Sequence, residues 1–301
     1  MPIMMAPQLS SSERKFFSRR PLKPYSNPLR KKPMTIAAGF KYRDGILLCA
    51  DREITEGASK YSRSKVFGEQ ISPDVSLGFA FSGSMDYAIM AIQGIIAVAK
   101  SSRLTSHAQI WGAIRDTIHE IYSDSIGCLP EYQQENFHFS LLIAAWAEGT
   151  VKLFTSENTA ITEEQQFRCI GIGKDLARYL LTSEGIEGSD RMPLQSAETV
   201  SLRIVKHVKD GVPGCGQETD VLILDSNGGL IRKSQNDYRF ELKMIGLCDD
   251  VTSLLQPFAM ELDMPDEDRS IGFRLALSVY DERLAKIRAE RLAEQQEDED
   301  E

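Results

Sequence analysis

The sequence lacks the features that mark a metalloprotein, a disulfide-bonded secreted protein or a membrane protein. Its five cysteines and four histidines are scattered over 301 residues without the spacing of a metal site. The odd number of cysteines and their mostly apolar neighbours favour reduced, buried thiols in a reducing compartment. No apolar run reaches the roughly 18–20 residues that span a bilayer. We therefore predict a soluble, cytoplasmic protein with no metal, no other cofactor and no membrane partner.

An excess of positive charge is also missing from the part expected to fold. The chain carries 35 basic and 44 acidic residues, which give a formal net charge of -9, and 42% of its residues are hydrophobic. The acidic balance argues against a nucleic-acid partner. The hydrophobic content is sufficient for one large core or two modest ones.

Charge is instead concentrated at the two ends. Residues 1–34 are basic and broken by Ser and Pro, and the chain ends in the acidic sequence EQQEDEDE. Both ends are expected to be solvated and without fixed structure. Three interpretations of the prefix stay open: a propeptide, an organellar transit peptide, or an untranslated stretch before a true start at Met34.

Between these ends, strand-like runs alternate with helical ones. TIAAGFK and GILLCAD are joined by a hairpin signal at Asp44–Gly45, and SKVF and VSLGFAFSG complete four strands. The apolar run MDYAIMAIQGIIAVAK predicts a helix buried between layers. The next helix, SHAQIWGAIRDTIHEIY, begins with a capping box at Ser106 and Gln109.

The second half repeats this order, which determines the predicted fold class. Three strands (FHFSLLIAAWAE, TVKLFTSE, QFRCIGIG) precede two helices (KDLARYLLTS, LQSAETVSLRIVKHVKD), and TDVLILD ends in an Asn227–Gly228 turn. Such an order predicts an α+β fold, a four-layer αββα sandwich of two antiparallel sheets flanked by helices. We predict the domain over residues 35–235.

The C-terminal extension, residues 236–301, is predicted to contain a β-like stretch from Tyr238, then a helix and the acidic tail. The helix is rich in acid–base pairs three or four residues apart, which is typical of a surface helix. A partner-binding helix is the alternative.

The dipeptide Met34–Thr35, directly before the first strand, suggests a specific chemistry. A threonine hydroxyl is a poor nucleophile without a base, and a free α-amino group, with a pKa of roughly 7.7–8.0, can act as that base. An N-terminal threonine therefore carries nucleophile and base in one residue. Removal of Met34 after initiation there, or cleavage after Met34, would expose the amine of Thr35.

The residues that follow Thr35 sharpen this hypothesis. Thr35, Gly39, Lys41, Asp44, Gly45, Leu48, Ala50 and Asp51 form a pattern that resembles the start of mature proteasome β subunits and their bacterial relatives. SKVF, GFAFSGSMDY, CIGIGKDLARYLL and VKDG resemble later blocks of that family, in the same order, over residues 35–233. The resemblance implies an N-terminal nucleophile hydrolase. It would be a threonine-type endopeptidase or amidohydrolase that acts on peptides or proteins in a homo-oligomeric ring, with an ATPase partner left open.

The resemblance also implies roles for five residues. Thr35 would be the nucleophile, Lys65 the cation that favours the ionised hydroxyl, and Asp51 the carboxylate that pairs with Lys65. The backbone N–H of Gly83 would face the developing oxyanion, and Asp210 would orient the surroundings of the nucleophile. For each residue the alternative is structural: a solvated strand end for the charged residues, or a tight turn for Gly83 and Asp210. Three apolar residues near the expected specificity pocket suggest a small or hydrophobic preference: Ile54, Phe81 and Met85.

The sequence also departs from the family pattern. Ile172 stands where the family has the serine of a Gly-Ser-Gly block, and Pro213 replaces a second serine and cannot donate a hydrogen bond. Methionine, rather than glycine, precedes Thr35, which disfavours self-cleavage. An inactive scaffold subunit and a non-peptide amide hydrolase therefore stay open as alternatives. Cys215, in GCGQETD, is a rival nucleophile, but a buried or loop thiol is the simpler interpretation.

Overall fold

The computed structural model describes residues 35–56, 59–183, 191–260 and 266–300. The predictions for the prefix, residues 1–34, lie outside the described residues. Two five-stranded antiparallel sheets pack face to face, with helices on both outer faces. The predicted four-layer αββα sandwich is confirmed. None of the described helices combines the length and apolar character that crossing a membrane requires.

The strands and helices follow one another in two similar halves. The strands are β1 (Ile36–Tyr42), β2 (Gly45–Asp51), β3 (Glu53–Glu56), β4 (Ser59–Ser62), β5 (Val66–Ser72), β6 (Val75–Gly83), β7 (Phe139–Ala147), β8 (Thr150–Glu157), β9 (Ala160–Glu164), β10 (Phe167–Gly171), β11 (Thr219–Asp225) and β12 (Leu230–Lys233). The helices are α1 (Met85–Ser101), α2 (His107–Ile121), α3 (Glu131–Gln134), α4 (Lys174–Ser183), α5 (Leu194–Gly211), α6 (Arg239–Met260) and α7 (Asp266–Asp300).

The strand order places β1, the first strand of the domain, between two other strands of its sheet. The first sheet has the order β10-β1-β2-β11-β12, and the second has β5-β6-β7-β8-β9. Strands β3 and β4 form a separate hairpin, so six strands precede α1, and the prediction of four was wrong. This hairpin is polar and lacks the apolar alternation that marks a half-buried strand.

Three apolar layers hold the sandwich together. Residues such as Leu48, Leu142 and Leu153 fill the space between the two sheets, where they are almost fully buried. A second layer lies between the β5–β9 sheet and α1–α2, and a third between the β1-containing sheet and α4–α5. Helix α1 was predicted between layers, but it lies on the outside, where Met90 and Val98 are 41% and 38% exposed.

The C-terminal region is helical from its start. A 3₁₀ turn, Gln235–Tyr238, leads directly into α6, so the β-like stretch predicted from Tyr238 was wrong. The alternation in Arg239–Leu242 is too short to distinguish a strand from the first turn of a helix. Helix α6 contacts α5 and α7, and Lys243 pairs with Glu290 at 2.6 Å. The boundary at residue 235 stays a prediction.

Candidate active site

Several strand ends meet at one end of the sandwich and bring three of the predicted residues together. Thr35 lies directly before β1, and Asp51 is the last residue of β2. Because β1 and β2 are antiparallel, with Ala37 opposite Ala50, the start of β1 lies beside the end of β2. Lys65 lies directly before β5 and reaches this end from the other sheet.

The side chains of Thr35, Asp51 and Lys65, here called the Thr35 cluster, are joined by hydrogen bonds. The Lys65 ammonium donates to Thr35 Oγ1 and, at 2.8 Å, to Asp51 Oδ1. Thr35 Oγ1 donates to the same carboxylate oxygen at 3.3 Å. All three residues are at most 3% exposed. The hydroxyl therefore contacts both a cation and the carboxylate paired with it, in a site largely removed from water.

Main-chain groups hold this cluster in place. The carbonyl of Glu53 accepts a hydrogen bond from Lys65 Nζ at 2.6 Å. The backbone N–H of Ile36 donates to Asp51 Oδ1 at 3.0 Å, and that of Gly216 donates to Asp51 Oδ2 at 3.1 Å. Sequence reasoning missed Glu53 and Gly216. The groups involved are backbone atoms, so no residue type could have signalled them.

Burial tunes the charge of Lys65. Removal from water lowers the pKa of the Lys65 ammonium, and the nearby Asp51 carboxylate opposes that shift. A buried pair of this kind depends on its geometry, because either charge alone would carry a desolvation cost of several kcal/mol. The ion pair with Asp51 therefore allows the Lys65 ammonium to lie next to the Thr35 hydroxyl in a site that excludes bulk water.

Two glycines of the predicted GIG block pack against the backbone of Thr35. Gly171 has φ +94°, and a Cβ there would lie 2.2 Å from the carbonyl oxygen of Thr35. The Gly173 N–H donates to that oxygen at 3.3 Å. Ile172, between them, is 41% exposed. The block thus supports Thr35 through its backbone, and the Ile172 side chain can offer no hydrogen bond.

Gly83 ends β6 at the same end of the sandwich, where it makes a turn into α1. Its φ is +97°, and a Cβ would lie 2.4 Å from the His138 carbonyl oxygen. The geometry of the turn is therefore sufficient to explain a glycine at this position, without any role in catalysis. Among the described residues, no hydrogen bond links Gly83 to Thr35. Its oxyanion role stays a prediction.

Asp210 lies at the end of α5, and its carboxylate faces mostly solvent. It accepts a hydrogen bond from Lys206 at 3.1 Å, one turn earlier on the same helix, and its side chain is 64% exposed. Within the described ranges, no hydrogen bond or ion pair joins it to the Thr35 cluster. The structure therefore does not bring Asp210 into contact with Thr35, and its orienting role stays a prediction.

Cys215 lies beside the cluster but is poorly suited to act as a nucleophile. It is 5% exposed, and burial together with the Asp51 carboxylate raises the pKa of its thiol to about 12. The reactive thiolate is therefore disfavoured near neutral pH. In the part of the chain that the structure describes, no group of His, Cys, Asp and Glu could hold a metal ion.

The predicted specificity residues differ in their exposure. Phe81 is 1% exposed and stacks on Phe67 in the core beneath α1, with ring centroids 6.1 Å apart. Met85 packs against the same core, and Ile54 is half-buried in β3. The predicted preference for small or hydrophobic side chains stays a prediction.

Comparison with known proteins identifies the family. The family model described as "Proteasome subunit" matches residues 34–224. The chain belongs to the proteasome subunit family. None of the curated proteins matches it.

Similar solved structures support the proteasome-type fold. An Anbu (Gly-1) mutant from Hyphomicrobium sp. strain MC1 has 15% sequence identity and a TM-score of 0.64, covering 77% of this chain and 99% of its own. An Anbu (ancestral beta-subunit) from Yersinia bercovieri has 14% identity and a TM-score of 0.62, covering 77% and 100%. At such identities the likeness shows the fold alone.

Proposed function

We propose that the protein is a threonine-type N-terminal nucleophile hydrolase, with Thr35 as nucleophile. One observation carries the proposal: the Thr35 hydroxyl contacts the Lys65 ammonium and donates to Asp51 in a buried site. A structural salt bridge between Lys65 and Asp51 would not require a hydroxyl that hydrogen-bonds to both of its charges. An ammonium and a carboxylate that both hydrogen-bond to a hydroxyl are suited to activate that hydroxyl as a nucleophile.

The proposed reaction begins when the free α-amine of Thr35 accepts the hydroxyl proton. The oxygen attacks the carbonyl carbon of an amide, and Lys65 stabilises the developing negative charge on the nucleophile. The tetrahedral intermediate then collapses: the C–N bond of the substrate breaks and an ester to Thr35 remains. The leaving amine of the substrate takes up the proton held by the Thr35 α-ammonium. Water then hydrolyses the ester and regenerates Thr35. The Gly83 N–H is proposed as an oxyanion donor.

The expected substrate is a peptide or protein, bound within a homo-oligomeric ring in the cytoplasm. Family membership supports an oligomer of this type, and an ATPase that delivers substrates is one candidate partner. Removal of Met34 after initiation there, or cleavage after Met34 in a longer chain, would expose the required amine.

The second candidate is a catalytically inactive ring or scaffold subunit. The exposed Ile172 and the outward Asp210 favour it, because neither supplies a polar contact to Thr35. Pro213, in the second serine position, likewise has no donor. A hydrolase of non-peptide amides is compatible with the same nucleophile.

Two measurements test the proposal in sequence. Intact-mass analysis of protein produced from Met1 and from Met34 shows which chain begins at Thr35. Each protein is then treated with a β-lactone, and peptide mapping locates the adduct. We expect an ester on Thr35, and its absence from a chain that begins at Thr35 would support the inactive subunit instead.

Matched variants identify the acylated atom. Thr35→Ala removes the hydroxyl and should abolish the adduct, whereas Cys215→Ser removes the neighbouring thiol and should leave it in place. A proteolysis assay with fluorogenic peptides then separates a peptidase from a hydrolase of other amides. Size-exclusion chromatography with light scattering tests for the ring.

A further inference from the structure

Lys209, near the end of α5, contacts the loop of residues 212–218, which supports Asp51 through the N–H of Gly216. Its ammonium donates to the carbonyl of Gln217 at 2.9 Å and to Thr219 Oγ1 at 2.8 Å. A longer contact of 3.5 Å reaches the side-chain oxygen of Gln235, which also accepts the Thr219 N–H. One ammonium group therefore links the end of α5 to the loop of residues 212–218 and the start of β11.

This loop has a conformation that needs support. Gln217 has φ +60°, in the left-handed region, which costs a non-glycine residue roughly 1–2 kcal/mol. Such conformations persist where surrounding contacts hold them. Lys209 binds the carbonyl of Gln217 itself, and the preceding residue, Gly216, supplies the N–H to Asp51 Oδ2.

The charge of Lys209 acts in the same direction as its hydrogen bonds. Burial lowers the pKa of the Lys209 ammonium, and attraction to Asp51 opposes that shift. The Lys209 ammonium and the Asp51 carboxylate therefore attract each other, in addition to the hydrogen bonds that Lys209 makes to the loop. Lys206, one turn earlier, faces Asp210 and Asp249 instead.

We propose that Lys209 is a positioning residue for the Thr35 cluster: it holds the 212–218 loop so that the Gly216 N–H binds Asp51. The contacts of Lys209, Gln217, Gly216 and Asp51 carry this proposal. Its consequence for reactivity rests on the proposed hydrolase function.

The first test measures the Gly216 amide without using activity. Hydrogen exchange of this amide, followed by NMR, is compared in the wild-type protein, Lys209→Met and Lys206→Met. Lys209→Met should accelerate Gly216 exchange by about fivefold or more, the equivalent of one net hydrogen bond. Lys206→Met should leave it unchanged. Equal protection in wild type and Lys209→Met would overturn the proposal.

A second pair of variants guards against a general loss of structure. Thr219→Val removes one acceptor of Lys209 with little change of shape, and it should accelerate the same amide by a smaller factor. Lys209→Arg keeps the charge and the donors, and it should restore most of the protection. Failure of Lys209→Arg to protect Gly216 better than Lys209→Met would count against the proposal. Circular dichroism checks that each variant is folded.

The third test measures reactivity. The rate of Thr35 acylation by a β-lactone should fall by about 10- to 100-fold in Lys209→Met, because small displacements of reacting groups have effects of this size. Wild-type rates in a folded Lys209→Met variant would overturn the proposal. Absence of any adduct in the wild-type protein would instead overturn the hydrolase function, and Gly216 exchange would still decide the role of Lys209.

Discussion

Lys65 Nζ and Asp51 Oδ1 lie 2.8 Å apart at a point where both side chains are at most 1% exposed. Asp51 ends a strand of one sheet and Lys65 directly precedes a strand of the other, so this ion pair joins the two sheets of the sandwich. Backbone groups hold both side chains in place: the Glu53 carbonyl accepts a hydrogen bond from Lys65, and the Ile36 N–H donates one to Asp51. The pair thus affects both stability and the proposed chemistry.

Lys65→Met should leave Asp51 as an uncompensated buried charge and lower the free energy of unfolding by about 3–5 kcal/mol. The double variant with Asp51→Asn should recover much of that loss, so the coupling energy should exceed about 1 kcal/mol. Urea denaturation of the four proteins measures it. The surface pair Lys152–Glu163, at 3.0 Å, is the control and should couple by less than about 1 kcal/mol. Equal coupling in the two pairs would contradict this prediction.

Gly171→Ala should displace the backbone of Thr35. The new methyl would meet the Thr35 carbonyl oxygen at a left-handed φ, so we expect a loss of about 2–5 kcal/mol in unfolding free energy. Gly149→Ala is a matched control, because φ is +68° but no atom lies within 4 Å of the added Cβ. It should cost only about 1–2 kcal/mol. Thermal and urea unfolding compare the two variants, and similar losses would show that crowding at Thr35 is unimportant.

Stability should fall at alkaline pH because of buried thiols. Burial raises the pKa of Cys169 from 9.0 to about 12. Below pH 9 the thiol is protonated in both states, but between pH 9 and about 12 only the unfolded chain ionises. The free energy of unfolding should then fall by up to about 1.4 kcal/mol per pH unit from this residue.

Cys169→Ala isolates this effect. The variant should lose less stability than the wild type between pH 8 and pH 10.5, as measured by urea denaturation at each pH. The lowered pKa values of Lys65 and Lys209 act in the opposite direction, since their titration adds stability as pH rises toward 10.5, but they are present in both proteins. Parallel pH profiles would refute the prediction.

Tyr238→Phe should weaken the attachment of the C-terminal helices. Tyr238 is 2% exposed, and its hydroxyl donates to Glu198 Oε1 on α5 at 2.6 Å. A hydrogen bond to a charged acceptor contributes about 1.5–3 kcal/mol, and we expect a loss of this size in unfolding free energy. Tyr179→Phe, at a side chain 68% exposed, should change it by no more than about 0.5 kcal/mol. An equal effect at both positions would contradict the anchoring role.

The fold, and the proximity of Thr35 to Asp51, could be predicted from the sequence because both depend on local patterns. Thr35 and Asp51 flank two short strands joined by a tight turn, and antiparallel pairing then brings them together. Lys65 could be identified only through the family resemblance, since its contact crosses between sheets. The β3–β4 hairpin was missed because its strands lack apolar alternation.

Contacts made by the backbone or by common turn sequences could not be predicted. The N–H of Gly216 and the carbonyl of Glu53 carry no residue signature. The KDG sequence is equally compatible with an inward or an outward Asp210, and Lys206, one turn earlier on α5, favours the outward position. The position of Cys215 next to the cluster depends on the path of its loop, which no local pattern of the sequence indicates.

The hydrogen bond from Gly216 to Asp51 spans 165 positions of the chain. A ribosome synthesises Thr35 early, but Gly216 emerges only after both sheets' central strands have been made. The nascent polypeptide would therefore lack a properly braced carboxylate for most of its translation. On the proposed function, the site would therefore be complete only after translation has passed Gly216.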